Sequence, residues 1–185
     1  CFPPCLQQTP SGVITRMKNQ RSALFFDRLF RHSQSTLLNA QFDLTYRCNF
    51  RCAHCYCQGL DKKKSEMSTA QVCRMLDILA GEGCLWLDMT GGEPLLRRDF
   101  RKIYLHARRR GFLVTLLTNG SLFNDSLIRF FQKNSPYAIE VTLNGITPNV
   151  YESITRTPGF FRRVMTNLKK IIRAGLPLRI KTNCL

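Results

Sequence analysis

The sequence predicts an α/β fold: a partial (β/α) TIM-type barrel with parallel strands, truncated after about the fifth strand. First, short apolar runs alternate with amphipathic helical segments from residue 41 onward. Second, the order is strand then helix, repeated four times and followed by a fifth strand, and right-handed crossovers turn such repeats into a parallel sheet or barrel. Third, the chain has 185 residues, whereas a complete eight-unit barrel needs about 250.

Five segments carry the strand pattern. The first, Gln41–Tyr46, alternates polar and apolar side chains. The others are short apolar runs, which are typical of strands covered on both faces. These runs are Leu85–Thr90, Phe112–Thr118, Ala138–Leu143 and Leu178–Thr182.

Four amphipathic helices separate these strands. Ser68 and Gln71 have the spacing of a capping box at the start of the first helix. Gly111 is placed to end the second helix, and Gly175, with Pro177 beyond it, to end the fourth. The apolar stripes comprise Val72, Met75, Leu76 and Leu79; Phe100, Ile103 and Ala107; Leu127, Phe130 and Phe131; and Phe161, Val164, Leu168 and Ile171.

The chain divides into an N-terminal extension, residues 1–40, and a core domain, residues 41–185. The extension is expected to be partly helical, because Arg21–His32 has the pattern of a basic amphipathic helix. For this helix we favour a role in covering the bottom of the barrel over a role in binding a partner. The core domain is expected to be incomplete at its C-terminus, because a final strand without its covering helix leaves an open edge. The first residue is not Met, so an upstream part is also expected.

The chain is strongly basic. Twenty-eight Lys and Arg against twelve Asp and Glu give a net charge of +16, which suits anionic partners. The basic residues nevertheless recur in short groups rather than in one block, so solvated helix faces are favoured over a nucleic-acid site. No apolar run is long enough to cross a membrane, and the N-terminus lacks the pattern of a signal peptide. We therefore expect no membrane partner.

Nine cysteines make up the other unusual feature of the composition. Helical periodicity argues against an oxidised, disulfide-rich scaffold. Cys48, Cys52 and Cys55 form C-x3-C-x2-C directly after the first strand, where parallel barrels place their active sites. Three thiolates can bind three irons of a four-iron cluster and leave the fourth iron open. The alternatives are a zinc site closed by His54 or Cys57, and unrelated buried cysteines.

Further motifs follow in order along the chain. Gly91-Gly92-Glu93-Pro94 ends the second strand, Thr118-Asn119-Gly120 the third, and Glu140–Gly145 covers the fourth. With the cysteine triplet, these segments resemble the radical S-adenosylmethionine (SAM) superfamily over residues 41–185. Residues 146–183 resemble its SPASM-type branch of peptide- and protein-modifying enzymes. Thr90–Arg97 also resembles the superfamily's enzymes of molybdenum-cofactor biosynthesis.

The resemblance implies a site as well as a fold. It implies that Cys48, Cys52 and Cys55 hold a [4Fe-4S] cluster. The residues implied to contact SAM are Gly91, Gly92, Glu93, Pro94, Thr142, Asn144 and His54. The residues alone also allow simpler interpretations, since the glycines suit a tight turn and Asn144 suits a polar strand end. Many relatives have an acidic residue at the position of Asn144. Lys181 and Asn183, after the fifth strand, either contact SAM or face solvent. Cys57 is interpreted as a non-ligand.

The resemblance also implies an activity. Reductive cleavage of SAM would give a 5′-deoxyadenosyl radical that abstracts hydrogen from a peptide or protein. The alternatives are a small nucleotide substrate, as in molybdenum-cofactor biosynthesis, and an inactive cluster- or zinc-binding fragment. Implied partners are an electron donor such as flavodoxin or ferredoxin, and the implied compartment is the cytoplasm. Nucleic acid is not expected as a partner.

Overall fold

The computed structural model describes residues 38–57 and 66–182. Five strands form one sheet in the order β1-β2-β3-β4-β5, and every neighbouring pair is parallel. The strands are β1 (Asn39–Thr45), β2 (Trp86–Gly91), β3 (Leu113–Thr118), β4 (Ala138–Thr142) and β5 (Leu178–Lys181). The predicted fold class is confirmed. Strand β1 begins at Asn39, so the last two residues assigned to the N-terminal extension belong to the sheet.

Helices cover the crossovers between the strands. They are α1 (Thr69–Gly81), α2 (Phe100–Arg109), α3 (Asp125–Lys133), α4 (Pro148–Thr155) and α5 (Phe160–Arg173), and a short 3-10 turn spans Pro94–Leu96. The predicted capping box is present, since Ser68 accepts from Gln71 N–H and the Gln71 side chain accepts from Ser68 N–H. Residues 1–37 of the predicted N-terminal extension, with the helix at residues 21–32, lie outside the described residues.

Helix α4 was not predicted, so the last crossover contains two helices rather than one. Few of its residues are apolar, and one of these, Val150, is exposed. The sequence therefore shows no clear apolar stripe for this helix. A local signal is nevertheless present, because the Thr147 side chain caps the helix at the Val150 N–H and Pro148 takes the first helical position. This short helix matters for the site, as described below.

The core lies between the sheet and the helices that pack on it. Leu87, Val114 and Ile139 from three neighbouring strands are fully buried, as are Leu76 of α1 and Ile171 of α5. Because all five strands run the same way, their carboxyl ends meet at one edge of the sheet. Among the described residues, no helix combines the length and apolarity that crossing a bilayer requires.

Candidate functional site

The cysteine triplet lies on the loop that leaves β1, and this loop rests on the last turn of helix α4. The Arg51 N–H donates to the Thr155 carbonyl at 3.2 Å, and the Ala53 N–H donates to the Ile154 carbonyl at 2.8 Å. The carbonyls at a helix C-terminus have no partner within the helix, so the loop supplies their donors. These two bonds flank Cys52 and fix its backbone beside α4.

A cavity of about 320 Å³ opens where the strands end, and the cysteine loop forms one wall of it. It brings together most of the residues predicted for the site: Cys48, Cys52, Cys55, His54, Gly91, Gly92, Thr142, Asn144 and Lys181. Residues that were not predicted also line it, among them Phe50, Tyr56, Thr118, Asn119 and Thr155. Glu93 and Pro94 do not line the cavity. Asn183 lies outside the described residues.

The thiols of the triplet are partly buried and interact with one another. Burial, followed by the negative charges of Cys48 and Cys55, raises the pKa of Cys52 to about 11. Burial also raises the pKa of Cys48, although hydrogen bonds from Phe50 and Asn119 oppose it. The thiolate form of Cys52 is thus disfavoured by burial and by the charges of Cys48 and Cys55, and a positively charged metal centre would offset both effects.

Two donors already point at the Cys48 sulfur. The Phe50 N–H lies 3.3 Å from it, and the Asn119 side-chain amide lies 3.8 Å from it. Asn119 is held in turn by Asn49, whose side-chain oxygen accepts from the Asn119 amide at 2.9 Å. Donors of this kind around metal thiolates orient them and tune the metal. Asn119 was not predicted as a site residue, although its Thr118-Asn119-Gly120 motif was noticed.

Within the part of the chain that the structure describes, no three His, Cys, Asp or Glu side chains converge to hold one metal ion. A four-iron cluster does not need such convergence, because each thiolate binds a different iron. Three soft sulfur donors on one loop suit that cluster in their chemistry. The residues present therefore fit the group that the resemblance implies.

Gly91 and Gly92 are required by the packing of the chain itself. A Cβ on Gly92 would lie 2.3 Å from the Arg47 carbonyl oxygen, and one on Gly91 would lie 2.3 Å from the Thr45 carbonyl oxygen. The Gly92 N–H donates to the latter oxygen at 2.6 Å. The glycines thus let the end of β2 press against the start of the cysteine loop, and this close approach positions the cavity wall.

Glu93 is fully buried, and its carboxyl group faces the protein interior rather than the cavity. It accepts from the Asn119 N–H at 2.8 Å, the Leu95 N–H at 3.1 Å and the Thr118 hydroxyl at 2.9 Å. Burial raises the pKa of Glu93 to about 7, against the lowering effect of these donors. Glu93 therefore ties the turn after β2 to the end of β3, and its predicted contact with SAM stays a prediction.

Among the residues that the structure describes, two buried polar atoms of cavity-lining side chains have no hydrogen-bond partner: His54 Nδ1 and Asn144 Oδ1. Buried polar groups in folded proteins are nearly always paired, so these atoms are suited to a bound molecule. Lys181 also lines the cavity, with its ammonium 3.6 Å from the Glu140 carboxylate.

The remaining cysteines of the described residues fall outside the cavity lining. Cys57 is buried, and Tyr56 beside it is largely exposed, with its hydroxyl 3.4 Å from both Asp43 and the Gly91 carbonyl. Cys84 is buried in the core and Cys73 is half-buried. The interpretation of Cys57 as a non-ligand stays a prediction.

Comparison with known proteins gives a family match over most of the chain. The model of the Radical SAM superfamily matches residues 42–185. The chain is 24% identical over 177 residues to the antilisterial bacteriocin subtilosin biosynthesis protein AlbA of Bacillus subtilis, which is 91% of this chain and 40% of AlbA. It is 30% identical over 141 residues to a probable GTP 3′,8-cyclase of Methanocella arvoryzae, covering 76% of this chain and 45% of the cyclase.

Solved structures give the same fold. SuiB of Streptococcus suis bound to S-adenosylmethionine matches with a TM-score of 0.70 at 19% identity, over 87% of this chain and 37% of SuiB. The chain thus spans less than half the length of these relatives.

Proposed function

The chain belongs to the radical SAM superfamily, and on that premise we propose that Cys48, Cys52 and Cys55 hold a [4Fe-4S] cluster used for the reductive cleavage of SAM. The observation that carries the proposal is the convergence of this cysteine loop with the ends of strands β2 to β5 on one cavity of about 320 Å³. Cavities of this size commonly accommodate small-molecule ligands.

A cluster held by Cys48, Cys52 and Cys55 would supply the electron for the reductive cleavage of a carbon–sulfur bond of SAM. The chain's own residues hold and orient the reactants. The Phe50 N–H and the Asn119 amide stabilise negative charge on the Cys48 sulfur. Because the pKa values of Cys48 and Cys52 are raised, cluster binding releases protons and should strengthen as the pH increases.

SAM is proposed to occupy the rest of the cavity. His54 Nδ1 and Asn144 Oδ1 would gain hydrogen-bond partners from it. The Lys181 ammonium, at the end of β5, offers a positive charge suited to a carboxylate. Thr142 and the backbone of Gly91 and Gly92 complete the wall. Glu93 and Pro94 would act from behind this wall by holding its shape.

A peptide or protein is the proposed substrate. Support comes from the alignment with AlbA, a bacteriocin biosynthesis protein, over 91% of this chain, and from the fold shared with SuiB, which has been solved bound to its precursor peptide SuiA. A small nucleotide is the second candidate, because the GTP 3′,8-cyclase relatives reach 30–31% identity. Production of 5′-deoxyadenosine stimulated by GTP, and not by peptides, would favour the nucleotide.

The proposed electron donor is an acidic redox protein such as flavodoxin or ferredoxin. Arg51 on the cysteine loop and Arg156 after helix α4 are exposed cations next to the proposed cluster. Charge complementarity of this kind speeds association with acidic partners. The proposed compartment is the cytoplasm, where thiols are kept reduced.

The test is anaerobic reconstitution of the full chain with iron and sulfide, followed by measurement of 5′-deoxyadenosine formed from SAM under reducing conditions. Cys52→Ala should lose the cluster and product formation. Cys57→Ala removes a neighbouring buried thiol and serves as the matched control, with iron content expected to stay unchanged. Full iron content in Cys52→Ala, or zinc in place of iron and sulfide in the wild-type chain, would contradict the proposal.

A further inference from the structure

Three polar residues beside the cysteine triplet form a closed ring of hydrogen bonds. The Ser121 N–H donates to the Asn119 side-chain oxygen at 2.9 Å, and the Asn119 side-chain amide donates to the Asn49 side-chain oxygen at 2.9 Å. The Asn49 side-chain amide closes the ring by donating to the Ser121 hydroxyl at 2.8 Å. Asn49 belongs to the cysteine loop and the other two residues to the turn after β3, so the ring joins two distant segments of the chain.

The ring fixes the direction in which the Asn119 side-chain amide faces. Because its oxygen accepts from the Ser121 N–H, its nitrogen lies on the other side, toward Asn49 and Cys48. An amide nitrogen carries two hydrogens, and the bond to Asn49 uses one of them. The second hydrogen is left for the Cys48 sulfur, which lies 3.8 Å from this nitrogen.

The turn that carries two members of the ring is itself held in place. Ser121 is fully buried, and the side-chain amide of Asn167 in α5 donates to the Gly120 carbonyl at 2.9 Å and to the Ser121 carbonyl at 3.1 Å. Buried networks whose polar groups are paired are rigid. Asn49 is therefore the member that the cysteine loop adds to a fixed turn. Without its oxygen, one hydrogen of the Asn119 amide loses its acceptor, and the amide is free to turn away from the sulfur.

We propose that Asn49 is a positioning residue, which holds the Asn119 amide against the Cys48 sulfur and thereby raises the reduction potential of the cluster bound there. The inference rests on the proposed function. Hydrogen bonds to cluster sulfurs stabilise the reduced cluster, which carries one more negative charge. Within the part of the chain that the structure describes, Asn49 makes no hydrogen bond to Cys48, so its effect passes through Asn119. A ring that only attached the loop would need no remaining amide hydrogen directed at a sulfur.

The test measures the cluster potential in a double-mutant cycle of Asn49→Ala and Asn119→Ala. Each full-chain protein is reconstituted anaerobically with iron and sulfide, and the potential is measured by a redox titration followed by electron paramagnetic resonance. Asn134→Ala is the control, because the half-buried Asn134 amide donates to the Phe130 carbonyl at 3.0 Å, at the end of α3. Ser121→Ala is a milder second variant, which removes the hydroxyl that accepts from Asn49 and keeps the backbone N–H.

Asn49→Ala and Asn119→Ala should each shift the potential to a more negative value, and the double variant should shift it no further than Asn119→Ala alone. Ser121→Ala should give a smaller shift in the same direction, and Asn134→Ala none. An unchanged potential in Asn49→Ala, or in Ser121→Ala should Asn49→Ala hold no cluster, would overturn the inference. Additive shifts in the double variant would also overturn it, because Asn49 would then act independently of Asn119. Failure of the wild-type chain to form any cluster would instead refute the proposed function.

Discussion

The two sides of the cavity, each taken with the residues directly behind its wall, differ in how their buried polar groups are paired. At the ends of β2 and β3, Glu93, Thr118 and Asn119 are hydrogen-bonded to one another, and Asn119 continues to the cysteine loop. Around β4 and the start of the last crossover, by contrast, Asn144 Oδ1 is buried and has no hydrogen-bond partner among the described residues, and the same holds for His54 Nδ1 on the facing loop.

This difference separates a scaffold from a binding surface. A buried network whose members are all paired is rigid and specifies one geometry, so the β2–β3 half is formed before any ligand arrives. An unpaired buried polar group destabilises the fold, and a ligand that pairs with it removes that destabilisation. Ligand binding should therefore be most favourable on the β4–α4 side. Changes in the first half should therefore alter stability, and changes in the second half should alter binding.

The largest expected effect is at Gly92, in the first half. In Gly92→Ala, the new Cβ would lie 2.3 Å from the Arg47 carbonyl oxygen, which neither backbone can accommodate without moving. We expect a loss of about 3 kcal/mol or more in the free energy of unfolding, measured by urea denaturation. The control is Gly81→Ala at the end of α1, where nothing lies within 4 Å of the new Cβ. That variant should be neutral or slightly stabilising; equal losses in both would contradict the close-packing explanation.

The next effect is a pH dependence at Glu93. Because the folded-state pKa is raised to about 7 from 4.5, the folded protein retains a proton that the unfolded chain loses. Stability from this group is therefore full below pH 4.5 and is lost as the pH rises to 7, by up to about 3 kcal/mol. Glu93→Gln mimics the protonated form and should lack this loss.

The measurement at Glu93 is urea unfolding of both proteins at pH 5 and pH 7.5. The cost of Glu93→Gln relative to wild type should be smaller at pH 7.5 than at pH 5. Glu82→Gln makes the same chemical change at an exposed position and controls for the substitution itself. A cost of Glu93→Gln that is equal at both pH values would contradict the assignment.

The smallest expected effect is at Asn144, in the second half, and it concerns binding rather than stability. Asn144→Ala removes a buried oxygen that has no partner, so the free energy of unfolding should change by less than about 1 kcal/mol. SAM affinity of the reconstituted protein, measured by calorimetry, should fall by roughly tenfold, the equivalent of one hydrogen bond. Asn149→Ala on the exposed face of α4 should change neither quantity. Unaltered SAM binding in Asn144→Ala would remove this residue from the site.

The sequence predicted the strands well, because apolar runs flanked by glycines and polar turns are local signals. The ends of all five strands fall within two residues of the observed ones. The cysteine loop was also predictable, since its spacing and its place after β1 are both readable in the chain. The predicted contact of Gly91 and Gly92 with SAM stays a prediction, and the close contact that the structure gives them, with Thr45 and Arg47, depends on a neighbouring segment of the chain.

Other parts of the site could not be predicted because they join distant segments. Asn119 reaches a cysteine 71 positions away, and neither residue alone indicates that contact. Helix α4 has a weak apolar stripe, and its position beneath the cysteine loop is visible only in the folded chain. The inward orientation of Glu93 was not predictable either, because an acidic residue in a turn looks the same in sequence whether it faces inward or outward.

The attachment of the cysteine loop to helix α4 has a consequence for protein engineering. Both hydrogen bonds use backbone N–H groups of residues 51 and 53, and the side chains of Arg51 and Ala53 are exposed. A combinatorial library that randomises these two positions should therefore yield folded clones for almost every amino acid. Proline alone should be depleted, because it has no N–H to donate. Positions 51 and 53 thus form a natural place to vary surface charge while the backbone of the cysteine loop stays attached to helix α4.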